Sequence, residues 1–159
     1  MDVDQLKTRC PMSEPVCVGI LQGYEFYITN RGYASIREKK RSMVYGLLAN
    51  MTPFCVMQMD VFECAPRIYS RSLVTVKTCS GFEVNAFVYI DDSVDGEAKP
   101  FYMKRIRAAA WKLRLPKTYR YFLKAFKLEK EIVPPVYSGR ASEFFHGGGY
   151  GMHGGYSGD

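Results

Sequence analysis

Histidine is scarce in this chain: there are two, His146 and His153, and both lie in a glycine-rich tail. Imidazole-based metal sites are therefore not expected. The five cysteines are odd in number and never fall in a Cys-x-x-Cys pair, which argues against a thiolate zinc site and against a disulfide framework. Cys17, Cys55, Cys64 and Cys79 sit in apolar segments and read as buried, reduced thiols of a cytosol-like compartment. No apolar run approaches the ~20 residues that a helical membrane span needs. Residues 1–4, Met-Asp-Val-Asp, lack the basic-then-apolar pattern of a signal peptide, so a cytoplasmic location is expected. There is no internal repeat and no aromatic motif of the RNP type.

What is present is ordinary in amount and informative in order. A length of 159 residues suits one domain with a real core. The net charge of +6 favours anionic partners. The basic residues read as spread along the chain, those around Lys104–Arg114 as the solvated face of a helix, and the Gly/Tyr tail contains no arginine. Nucleic acid is therefore not the expected partner, and neither is a membrane.

A short polar helix is expected over residues 2–9, with Asp4 as its cap, followed by a proline-bounded loop to Pro15. Strands are expected over 16–21 and 24–29, broken by Gly23. After the Asn30-Arg-Gly32 turn come a short strand, 33–36, and a charged hairpin tip, 37–41. The nearly continuous apolar run 42–48 reads as a central strand, with Gly46 marking a bulge or a close backbone approach. Thr52-Pro53 starts a helix, and Pro66 forbids its continuation. Residues 69–77 and 83–90 form a hairpin around Cys79-Ser-Gly81. An amphipathic helix spans 101–113, with Met103, Ile106, Ala110 and Leu113 on one face, and a last helix spans 117–128. The domain is placed at 1–133, and 134–159 as an irregular to disordered Gly/Tyr-rich tail.

Glu63 stands out at the junction of the Thr52 helix and the following strand. It lies in the last helical turn, where the macrodipole disfavours a carboxylate. Phe62, Cys64 and Ala65 flank it, and Asp60 lies three residues earlier on roughly the same face. All three influences raise a carboxyl pKa, and an acid tuned toward neutrality both takes and gives a proton. The plainer reading is that Asp60 and Glu63 are two solvated charges at a helix end.

These elements, in this order, resemble the γ-glutamylcyclotransferase-like (AIG2-like) family. The resemblance rests on Leu21-Gln-Gly-Tyr-Glu-Phe26, Gly32-Tyr-Ala-Ser-Ile36, Val44-Tyr-Gly-Leu-Leu48, Asp60-Val-Phe-Glu63, the Tyr69-x-Arg71 that opens the next strand, and Leu115-Pro-Lys-Thr-Tyr119. It covers roughly residues 2 to 126. Arg114 stands where the family usually has glycine. The family's first strand and its Tyr-Gly-Ser-type loop, which cradles the substrate, are not found in the chain; a truncated longer chain is the expected reason, and a domain that has lost its binding loop is the alternative.

The resemblance implies an α+β fold, a small mixed β-barrel with flanking helices. It implies cyclisation of a small-molecule γ-glutamyl amide to 5-oxoproline, with release of an amine and with no metal or organic cofactor. It gives Glu63 the role of general base and then acid, Asp60 a supporting role, and Tyr69 and Tyr102 places in the cavity wall. Ordinary packing is the other reading of these two tyrosines. Gly32 would let backbone approach the ligand, or is simply a turn glycine. A second hypothesis is a family member without activity, which uses the same fold to bind a ligand or a protein.

Overall fold

Asp2 and Thr52 each cap a helix through a side-chain oxygen. Asp2 Oδ1 accepts from the N–H groups of Asp4 and Gln5 at 3.1 and 3.4 Å, and Thr52 Oγ1 accepts from Cys55 N–H at 3.2 Å. In the computed structural model, which describes residues 2–130, the first cap opens α1 (Val3–Arg9) and the second opens α2 (Pro53–Phe62). The cap of α1 is thus Asp2 rather than Asp4. The expected tail, 134–159, lies outside the described residues.

Between these helices run two long antiparallel strands, β1 (Glu14–Ile28) and β2 (Ala34–Asn50). Gly23 does not end a strand. It sits at φ +79° in a bulge of β1, where the register shifts between Gln22 and Tyr24. The partners of these two residues are Met43 and Glu38, so the charged run 39–42 is looped out within β2 rather than forming a hairpin tip. Gly46 pairs with Gly19 in unbroken register, with no bulge and no near neighbour where a Cβ would stand. The close approach is at Gly19, where an added Cβ would meet Val76 Cγ1 at 2.5 Å.

The hairpin β3 (Ser70–Thr78) and β4 (Glu83–Ile90) follows as expected. β3 joins β1 only at Gly19↔Thr78 and Ile20↔Lys77. The sheet order is β2-β1-β3-β4, all antiparallel. The fold is α+β, as the sequence implied. The mixed barrel is corrected to an open antiparallel sheet among the described residues, with β2 at an edge rather than in the centre.

Helices α3 (Pro100–Lys112) and α4 (Lys117–Lys124) close one face of the sheet. Leu21, Phe26, Ile28, Ile36, Val44 and Val76 of the strands pack with Met103, Ile106, Ala110, Leu115, Tyr119 and Leu123 in one core. α4 ends at Lys124, four residues before the expected limit, and Phe126 turns back edge-on to Phe26, 5.2 Å between ring centres. Of the four cysteines expected inside, only Cys55 is buried. Cys64 and Cys79 are exposed, because both fall in turns, and Cys10 is buried instead. Among the described residues, no helix is long and apolar enough to cross a membrane.

Candidate active site

Pro66 ends the helical path soon after α2, and the last turn places Glu63 at the helix C-cap, its N–H bonded to Met59 O at 2.8 Å. The carboxyl faces a cavity of about 570 Å³ bounded by α1, the end of α2, the entry to β3, the start of α3 and the turn after β1. Tyr69 and Tyr102 line the same cavity, so three residues spread over forty positions of sequence converge there.

Glu63 is 22 % exposed, and Arg9 Nη1 lies 3.3 Å from its Oε1. Burial pushes the Glu63 carboxyl above the usual carboxylate range, and the Arg9 charge and hydrogen bond pull against that. Asp60 does not add the expected like charge to Glu63, because its carboxyl turns to the β3–β4 hairpin. There it takes two hydrogen bonds from Arg71 Nη1, at 2.8 and 3.1 Å, and one from the Tyr89 hydroxyl at 2.6 Å. Asp60 thereby ties α2 to the β3–β4 hairpin. Burial and this bond push the Tyr89 hydroxyl up to about 12.

Tyr69 and Tyr102 grip one residue of β2. The Tyr69 hydroxyl donates to Ala34 C=O at 3.2 Å, and Ala34 N–H donates to the Tyr102 hydroxyl at 3.3 Å. The second bond uses Tyr102 as an acceptor and leaves its own proton free for another partner. Burial raises both hydroxyl pKa values, and the nearby Glu63 charge adds to each, so both stay protonated donors.

Gly32 is not part of the cavity wall. It sits at φ +82° in the β1–β2 turn, and an added Cβ would stand 2.7 Å from Lys99 Cγ and 2.8 Å from Glu129 Oε1.

The arginines of the wall had no signal in the sequence. Arg9, Arg31 and Arg105 come from α1, a turn and α3, and only the fold assembles them. Arg31 is fixed by Asp91, with Nη2 at 2.6 Å and Nε at 3.1 Å from Oδ2. Asp91 is buried, which alone would raise its carboxyl. Hydrogen bonds from Ser93 and the Arg31 guanidinium hold it below the usual range. Tyr33 packs edge-on to Tyr102 with ring centres 5.1 Å apart, which stiffens the wall. Among the described residues, no three His, Cys, Asp or Glu side chains are placed to hold a metal ion.

The model of the family described as "Gamma-glutamyl cyclotransferase, AIG2-like" matches residues 3–113. No curated protein matches the chain significantly. Among solved structures, one described as a γ-glutamyl cyclotransferase superposes with a TM-score of 0.73 at 23 % identity, covering 88 % of this chain and 86 % of its own. An uncharacterised protein from Homo sapiens gives 0.73 at 24 % identity, with the same coverage of 88 % and 86 %. A protein from Arabidopsis thaliana gives 0.52 at 18 % identity over 77 % of this chain and 84 % of its own.

Proposed function

The chain belongs to the γ-glutamyl cyclotransferase, AIG2-like family, and from that premise we propose that its cavity cyclises a γ-glutamyl amide to 5-oxoproline and releases an amine. The observation that carries this reading is the convergence of Glu63, Tyr69 and Tyr102 on one cavity.

The reaction is intramolecular. The α-amine of the glutamyl group attacks its own side-chain carbonyl, a C–N bond forms, and the bond to the leaving nitrogen breaks. Holding the glutamyl chain curled supplies much of the acceleration. Glu63 takes the proton lost by the attacking amine and returns it to the leaving nitrogen, so the carboxylate is restored at the end of the cycle. Its raised pKa suits both halves of this exchange. The unspent proton of the Tyr102 hydroxyl is a donor for the oxyanion of the tetrahedral intermediate. Asp60 acts at a distance, by fixing α2 and hence the position of Glu63. The arginines of the wall suit the carboxylate of the glutamyl group.

One observation favours a second reading, a ligand-binding member without turnover. The Arg9 contact holds Glu63 in an ion pair, and a base so held is available only when a ligand carboxylate draws Arg9 away. The two readings separate in one experiment. The chain is incubated with γ-glutamyl amides of amino acids, of the lysine side chain and of simple amines, and 5-oxoproline is measured beside calorimetric binding. Release of 5-oxoproline from at least one amide supports the enzyme. Saturable binding with no release from any of them supports the binding module.

A further inference from the structure

Residues 100–127 hold nine Lys and Arg and no Asp or Glu, whereas the rest of the chain has thirteen basic residues against sixteen acidic. The net positive charge of the protein therefore comes from the α3–α4 unit alone, which corrects the expectation that it is spread along the chain. Three of the nine cations are engaged internally. Arg105 and Lys112 pair with Asp2 and Asp4, and Arg107 caps the carbonyls of Leu123 and Lys124.

Three others are gathered on one face. Lys117, Tyr121 and Lys124 follow each other at i, i+4 and i+7 on α4, with Arg120 alongside, while Tyr119 and Leu123 turn inward to the core. Trp111, the only tryptophan, projects from the last turn of α3 onto this face and is 60 % exposed. The Arg120 guanidinium stacks on its ring at 3.8 Å, and Lys117 and Lys124 lie 5.8 and 5.4 Å from the Tyr121 ring centre. These five side chains line a shallow pocket. Lys117, Arg120 and Lys124 have no carboxylate partner among the described residues. The Arg120 Nε–H is a buried donor without an acceptor there.

We propose that this face binds single-stranded nucleic acid, with bases stacked on Trp111 and Tyr121 and phosphates held by Lys117, Arg120 and Lys124. Cations alone would recognise any polyanion. The interleaved aromatic rings, two exposed and each met by a cation, add the flat surfaces that an unpaired base needs. The face lies on the far end of α3 from Tyr102 and Arg105, so it is separate from the cavity and its occupation does not depend on the reaction proposed there.

The lone tryptophan supplies the readout. The full chain is titrated with a twelve-nucleotide oligouridylate at low salt while Trp111 fluorescence is followed. Saturable quenching is expected, with affinity falling as salt rises at a log–log slope near −2 for about three phosphate contacts. The variant Lys117→Gln/Arg120→Gln/Lys124→Gln should lose at least ~10-fold in affinity. Trp111→Leu, followed by anisotropy of a labelled oligonucleotide, should lose roughly 5- to 100-fold. Circular dichroism checks that each variant is folded. The proposal is overturned if the oligonucleotide does not bind or if the triple variant binds it equally. It is also overturned if inorganic polyphosphate of equal charge, a duplex of the same length, or vesicles of anionic phospholipid bind as tightly.

Discussion

The Arg9 guanidinium lies 3.3 Å from the Glu63 carboxylate and also 5.0 Å from the centre of the Phe62 ring. One side chain of α1 thus covers both the acid and the apolar residue beside it. Arg9 opposes the burial that raises the Glu63 pKa. In Arg9→Met the opposing charge is gone, and the acid limb of the kcat/KM profile should move to higher pH. A pH–rate profile of the two proteins checks this.

The same carboxyl leaves a mark on folding. A carboxyl whose folded pKa is raised binds its proton more tightly when folded than when unfolded. Its contribution to stability is therefore present at low pH and lost as the pH climbs from the ordinary carboxylate range through the raised value. Urea unfolding between pH 4 and 8 should show that decline in the wild type and less of it in Glu63→Gln. An equal slope in both proteins would contradict the raised pKa.

Asp60 and its partners give a prediction about stability rather than chemistry. Tyr89→Phe removes the 2.6 Å bond to Asp60 and should cost roughly 1–2 kcal/mol, the worth of a hydrogen bond to a charged group at a partly buried site. Asp60→Asn should lower the Tyr89 hydroxyl from about 12 toward the ordinary tyrosine value, with burial still holding it above that value. Ring-carbon NMR titration reads this directly.

Gly32 and Arg114 are opposite cases of backbone strain. Gly32→Ala puts a Cβ at φ +82° against Lys99 and should cost more than about 1 kcal/mol of stability, with activity per folded molecule kept. Arg114, which follows α3, is held at φ +51°, a left-handed conformation that is easier for glycine. Arg114→Gly should therefore stabilise the fold by roughly 0.5–1 kcal/mol. Thermal melts of both variants check the signs.

Local chemistry was legible in the sequence where it acts locally. Thr52-Pro53 and Pro66 bounded α2, the hairpin around Gly81 was plain, and the 3.6-residue pattern of Met103, Ile106 and Ala110 marked the buried face of α3. Glu63 was also marked, because a carboxyl at a helix end among apolar neighbours is already unusual in one dimension. What was lost depended on partners far along the chain. Asp60 and Glu63, three residues apart, looked like interacting charges, but Tyr89 and Arg71 draw Asp60 away. A glycine signals both a break and a bulge, and only pairing with β2 made Gly23 the latter. Arg9, Arg31 and Arg105 are ordinary surface residues until the fold brings them to one wall.

Proton transfer by Glu63 is tested most directly by 5-oxoproline release from the best γ-glutamyl amide by Glu63→Gln, with binding of the same amide measured on both proteins. In Glu63→Gln, kcat should fall by about 10²–10⁴, the usual worth of a positioned acid–base group, while affinity changes only a few-fold. A variant that binds the amide and turns it over within about tenfold of the wild-type rate would show that Glu63 is a buried carboxyl with no part in proton transfer.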